Sequence, residues 1–140
     1  MNGTEAFFDT FFDTNVLLYL LSSDTFKANR AEDLIAAGGV ISVQVLNEFA
    51  SVASRKLAMP WVEIREVLSA VCGICRVEPI FVETHDRGLA LAERYGFSVY
   101  DSMILASALL AGCTTLFSED LQDGQQIGDR LTVRNPFLIK

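Results

Sequence analysis

The chain has 140 residues, 51% of them hydrophobic, enough to bury a core without disulfides or a structural metal, and its length fits one domain over residues 1–140. The formal net charge of −7 argues against a protein that holds nucleic acid through an overall positive surface, yet it suits an enzyme that gathers carboxylates around a cation. No apolar run approaches the about 20 residues of a bilayer span, and Met1-Asn2-Gly3-Thr4-Glu5 is neither a basic nor an apolar leader, so a cytoplasmic protein without membrane attachment is expected.

The aromatic run over residues 7–12 reads as a buried strand. Asp13-Thr14-Asn15 interrupts it, and Val16-Leu17-Leu18-Tyr19-Leu20-Leu21 continues as a short buried helix. After the loop Ser22-Ser23-Asp24, residues 25–37 read as a helix ended by Gly38-Gly39. Val40-Ile41 is a short strand. Ser42 caps the next helix, which carries Val45, Leu46, Phe49, Val52 and Ala53 at helical spacing. Pro60 suits the first turn of a helix running to about Cys75. Residues 76–81 form a strand candidate that Pro79 confines to an edge. Thr84 caps a helix ending at Tyr95-Gly96, and residues 100–110 form an Ala- and Ser-rich helix. Strands over residues 114–117 and 131–133 close the pattern. Short apolar strands alternating with helices, without a good hairpin signal, predict an α/β fold: a parallel sheet with helices on both faces. Ligands in such folds sit outside the carboxyl ends of the strands.

Cys72-Gly73-Ile74-Cys75 has CxxC spacing but ends a helical pattern, and only His85 and Cys113 could complete a zinc site. Small buried thiols are the expectation. A lone histidine, His85, gives little support to histidine-based acid–base or zinc chemistry.

Four acids stand out. Asp13 follows the first strand, Glu48 lies inside the third helix, Asp101 opens the Ala-rich helix, and Asp120 follows Phe117-Ser118. Asp13 and Asp101 each have a plain structural explanation as helix-start residues that satisfy orphan N–H groups. Glu48 is harder to explain so, because its same-face neighbours are Val45 and Val52 and an unpaired carboxylate there is costly to desolvate. Oxygen donors in this number suit a hard cation, Mg²⁺ or Mn²⁺, which can activate water and offset charge on a phosphodiester.

Phe12-Asp13-Thr14-Asn15-Val16-Leu17-Leu18-Tyr19, Asn47-Glu48-Phe49, Tyr100-Asp101-Ser102-Met103-Ile104-Leu105-Ala106 and Leu116-Phe117-Ser118-Glu119-Asp120 resemble, in order and spacing, the PIN-domain nucleases, and among them the VapC-type toxins of toxin–antitoxin pairs. The resemblance implies a PIN-like (Rossmann-like) sheet and Mg²⁺- or Mn²⁺-dependent cleavage of RNA. It implies Asp13, Glu48 and Asp101 as the main metal-site acids, Asp120 as the fourth, Ser118 as a hydrogen-bonding support, and Asn15 as an aid in orienting Asp13 or a water. Arg55, seven residues past Glu48 on the same helix face, is a candidate for substrate phosphate. The doubled Phe-Phe-Asp-Thr leaves Asp9 as a rival to Asp13, and Glu119 and Asp123 as rivals to Asp120; Asp13 is preferred because Asn15 and the helical residues follow it directly.

A small antitoxin partner and a homodimer are also implied by the resemblance. An apolar groove between the helices over 25–37 and 60–75 would serve such a partner. Alternatives are a free-standing RNA-processing nuclease, a Mg²⁺-dependent phosphatase-like domain, for which Asn15 stands where a second Asp is wanted, or an inactive protein-binding domain.

Overall fold

A computed structural model describes residues 8–138. Strand β1 is Thr10–Phe12, with Phe11 and Phe12 buried. Phe7, expected in this strand, lies outside the described residues. Helix α1, Thr14–Leu18, begins after the single residue Asp13, two residues earlier than expected, and runs into a 3-10 turn over Tyr19–Leu21. Helix α2 is Thr25–Ala36, capped by the Asp24 carboxylate, which accepts from the Lys27 N–H. Strand β2, Val40–Ser42, passes directly into α3, Val43–Arg55, and the Ser42 hydroxyl accepts from the Val45 N–H as the cap. The buried stripe of α3 is Val45, Phe49 and Ala53, spaced four apart, as one helix face requires.

Helix α4, Trp61–Ile74, takes Pro60 as its N-cap rather than as its first helical residue. Strand β3, Arg76–Glu78, stops before Pro79, which cannot donate to a ladder. Helix α5, Val82–Tyr95, begins two residues before Thr84. Thr84 acts from the first turn instead, its hydroxyl accepting from the Phe81 N–H at 3.1 Å. Helix α6 is Val99–Leu110, strand β4 Thr115–Phe117, strand β5 Gln126–Ile127 and strand β6 Leu131–Arg134.

The sheet order is β3-β2-β1-β4-β6-β5, parallel except for β5, which pairs antiparallel with β6. The β5–β6 hairpin departs from the all-parallel expectation. Its turn uses Gly128 at φ 63°, and a two-residue strand with one exposed member leaves too short an alternation to read from sequence.

Connections from β1 to β2 to β3 move one way across the sheet, whereas β3 to β4 returns past β1. Right-handed crossovers then put α5 and α6 on the face opposite α1 to α4. In the packing, α5 lies on α6 and α1 to α4 pack among themselves, with α3 also touching α6. Helix α6 is buried along Ser102–Ala108, and its small side chains let it lie close to its neighbours. Between α2 and α4 lies a groove of about 450 Å³ with Leu20, Leu21, Ile35, Val67, Val71 and Ile74 in its walls.

Cys75 and Cys113 are buried, and desolvation pushes both thiols up to about 11, which makes them inert at neutral pH. Cys72 is exposed, contrary to the expectation of burial, because it follows the inward-facing Val71 and turns to the outer face of α4. No described helix is long and apolar enough to cross a membrane.

Candidate active site at the carboxyl ends of the strands

Strand β1 has β2 on one side and β4 on the other, so the order of connection reverses beside it. In open α/β sheets such a switch point opens a crevice beyond the carboxyl ends of the strands. Asp13 leaves β1 there, and Ser118 leaves β4. Phe12 pairs with Phe117 in the parallel register, and the Asp13 N–H donates to the Phe117 carbonyl at 3.0 Å. The ladder itself therefore brings Asp13 and Ser118 side by side.

Asp13 is 4% exposed. Its Oδ1 accepts from the Thr14 N–H at 2.7 Å, as the cap of α1, and its Oδ2 accepts from the Ser118 hydroxyl at 2.7 Å and from Asn15 Nδ2 at 3.4 Å. Ser118 Oγ in turn accepts from the Asp120 N–H at 3.2 Å, and Asn15 Oδ1 accepts from the Glu119 N–H at 3.2 Å. Asn15 and Ser118 thus tie the start of α1 to the loop after β4. Desolvation pushes the Asp13 carboxyl up to about 6; the Ser118 and Thr14 hydrogen bonds oppose this, and the charges of Asp120 and Asp101 add to it. Asp13, Asp101 and Asp120 therefore share one electrostatic neighbourhood although they come from three elements.

Asp101 sits in the first turn of α6, half-buried, its N–H held by the Ser98 hydroxyl at 3.1 Å. Glu48 is half-buried on α3. Its Oε1 accepts from the Thr14 hydroxyl at 2.6 Å and its Oε2 from Gln44 Nε2 at 3.3 Å, and Gln44 also reaches the Tyr100 carbonyl at 3.0 Å. Two residues that the sequence reading passed over, Thr14 and Gln44, thus join Glu48 to the neighbours of Asp13 and Asp101. The available signal for Thr14 was its place inside the Asp13-Thr14-Asn15 run; Gln44 lies one helical turn before Glu48, on the same face.

The rivals lie elsewhere. Asp9 is exposed at the amino end of β1, at the other end of the strand from Asp13. Glu119 is engaged by Lys27 at 2.8 Å and by the Tyr19 hydroxyl. Against the desolvation that pushes Glu119 up, those two hydrogen bonds hold its carboxyl below the usual range. Lys27 also lies 4.5 Å over the Tyr19 ring. Asp123 Oδ1 accepts from the Asn135 N–H at 2.8 Å. Arg55 is exposed, its Nε donating to the Ser51 hydroxyl at 3.0 Å, in the groove that also holds Glu48.

Among the described residues, no three His, Cys, Asp or Glu side chains stand close enough to grip one ion directly. The ion pairs among the described residues use none of Asp13, Glu48, Asp101 and Asp120. The arrangement is an open set of oxygen donors with which no Lys or Arg among the described residues pairs. Such a set fits a hydrated hard cation, of the kind that keeps several waters and takes only one or two carboxylates directly.

The family model of the PIN domain matches residues 10–122, a span holding all of these acids except Asp9 and Asp123, and the chain belongs to the PIN domain family. Among solved structures it is similar to a toxin–antitoxin complex from Klebsiella pneumoniae, with TM-score 0.70 and 24% identity over 93% of this chain and 99% of that one. It is similar also to VapC20 of Mycobacterium tuberculosis, described as a sarcin–ricin loop cleaving toxin (TM-score 0.62, 18% identity, 79% and 91% covered). FitAcB from Neisseria gonorrhoeae gives TM-score 0.63 at 16% identity, with 93% and 99% covered. At these identities the likeness is one of fold. Among curated proteins, none matches.

Proposed function

We propose that this chain is a divalent-cation-dependent endoribonuclease and the toxin of a toxin–antitoxin pair. The observation that carries the reading is Asp13 at the switch point of a PIN-domain sheet, its carboxyl pushed up to about 6 chiefly by burial and further by the charges of Asp120 and Asp101. A carboxylate held among like charges is stabilised by a cation, and the family and the oxygen donors favour Mg²⁺ or Mn²⁺.

Asp13, Glu48, Asp101 and Asp120 would hold the ion, directly or through water. When bound, it supplies Lewis acidity that offsets charge on the phosphodiester and acidifies a water. Ser118 and the Thr14 N–H keep both oxygens of Asp13 oriented, and Asn15 braces that pair. Thr14 and Gln44 aim the Glu48 carboxylate. Asp120, exposed and free of ion pairs among the described residues, steers the attacking water for in-line displacement. Arg55 meets a substrate phosphate.

The toxin reading is supported by the fold likeness to proteins described as toxins and by the apolar groove between α2 and α4, which suits the apolar face of a partner helix. A homodimer belongs to the same reading. Incubation with structured RNAs in Mg²⁺, Mn²⁺ or EDTA tests the activity: cation-dependent internal cleavage, abolished in Asp101→Asn, is expected. Cleavage in EDTA, or undiminished cleavage by Asp101→Asn, would overturn it. A neighbouring short gene whose product binds the chain and blocks cleavage separates the toxin from a free-standing RNA-processing nuclease.

A further inference from the structure

The groove beside Glu48 has two unlike walls. On α3, Asn47 stands just before Glu48, and Ser51 and Arg55 follow it one and two turns on; the rest of the lining includes Ile80, 41% exposed, and Tyr100, 69% exposed, the residue before Asp101. Gln44 spans the floor from Glu48 to the Tyr100 carbonyl, so the two walls meet at the acidic end. A large aromatic ring left in water next to a candidate catalytic acid, lining the same groove as a cation, has the chemistry of a nucleotide site.

We propose that an unpaired RNA strand leaves the acidic crevice along this groove, with a base stacked on Tyr100 and a phosphate on Arg55. The proposal rests on the nuclease reading for what happens at its acidic end. Seven residues of helix put Arg55 about 10 Å from Glu48 along α3, so it meets a phosphate beside the cleaved one. The Ser51 hydroxyl holds Arg55 by Nε, and its terminal nitrogens have no partner among the described residues. On a chain of net charge −7, a backbone path needs such a cation close to the acids. Tyr100 can stack only on a base already free of its neighbours, so the groove selects a loop or single strand over a duplex. The amide of Asn47, exposed in the same groove, offers a donor and an acceptor to a base edge.

Fluorescence anisotropy of a labelled single-stranded oligoribonucleotide, with Ca²⁺ in place of Mg²⁺, reads binding apart from cleavage. Tyr100→Ala should weaken binding at least about fivefold and Tyr100→Phe should restore it. Arg55→Gln should weaken binding and flatten the dependence of log affinity on log salt by about 0.7. The duplex of the same sequence should bind more weakly than the single strand. Tyr100 is largely exposed, so unfolding temperatures should match the wild type. Equal affinity in Tyr100→Ala, or equal affinity for duplex, would overturn the proposal. So would a Tyr100→Ala chain that changes sedimentation while keeping its RNA affinity, because the face would then belong to a second copy. Absence of cleavage in any metal, with the binding differences intact, would remove the nuclease reading and leave the groove. Cleavage with binding indifferent to Tyr100 would do the reverse.

Discussion

The Ser118 hydroxyl donates to Asp13 Oδ2 at 2.7 Å across the β1–β4 seam, and both side chains are buried. The bond offsets part of the desolvation of the carboxylate, and the same Ser118 oxygen anchors the Asp120 N–H. Ser118→Ala should therefore make Asp13 still harder to ionise. The half-saturating Mg²⁺ concentration is expected to rise about 10- to 100-fold, and the acid limb of the pH–rate profile to move to higher pH. Titration of activity with Mg²⁺ at several pH values checks both.

Asp13 also makes the metal-free fold pH-sensitive. Its carboxyl is raised from 3.8 to about 6, so the folded state holds its proton more tightly than the unfolded chain. That contribution is fully present below pH 4 and is lost as pH rises through about 6, a change of about 3 kcal/mol. In EDTA, the wild type should unfold at lower denaturant concentration as pH rises over this window, and Asp13→Asn should remove that part of the slope and be the more stable chain at pH 8. Mg²⁺ should stabilise the wild type and not the variant.

Thr14→Val keeps the shape of a side chain only 6% exposed and deletes the donor to Glu48. A hydrogen bond to a charged group is worth about 1.5–3 kcal/mol. Cleavage should fall by about tenfold or more if that sum is expressed in the site, with a smaller loss than Glu48→Gln produces. Steady-state kinetics of both variants decide the order.

Asp120→Asn should lower cleavage at least about tenfold, whereas Glu119→Gln and Asp9→Asn should leave it near the wild-type rate. Glu119→Gln breaks an ion pair whose side chains are each 28% exposed, so the expected effect is a stability loss of about 1 kcal/mol or less. Parallel activity and thermal-unfolding measurements separate the two effects.

Gly39→Ala should destabilise by about 1–3 kcal/mol. A Cβ at Gly39 would lie 2.5 Å from the Phe12 ring and 3.0 Å from the Thr10 carbonyl, and neither β1 group can swing away. Denaturant midpoints measure the loss.

Hydrophobic spacing was sufficient to read the stripe of α3, the Ser42 cap and the edge position that Pro79 forces on β3. It missed the start of α5, because Thr84 looks like a cap by type and acts from inside the first turn. It missed β5, whose two residues pair only because Gly128 turns the chain back. Asp13, Asn15, Ser118 and Asp120 were named from sequence; Thr14 and Gln44 were not, since their partners lie on other elements or around a helical turn.

The sequence alone determined the alternation of short apolar strands with helices, and it put acids where strands end and helices begin. Both properties are local, because backbone periodicity and capping act over a few residues. Which acids meet was decided only by the tertiary structure. The strand order sets β1 beside β4, and the register of Phe12 on Phe117 carries Asp13 to Ser118 across 105 positions. The same fold turns Glu119 to Lys27 and leaves Asp9 at the opposite end of β1. No spacing along the chain encodes those distances, since they depend on how separate segments pack against one another.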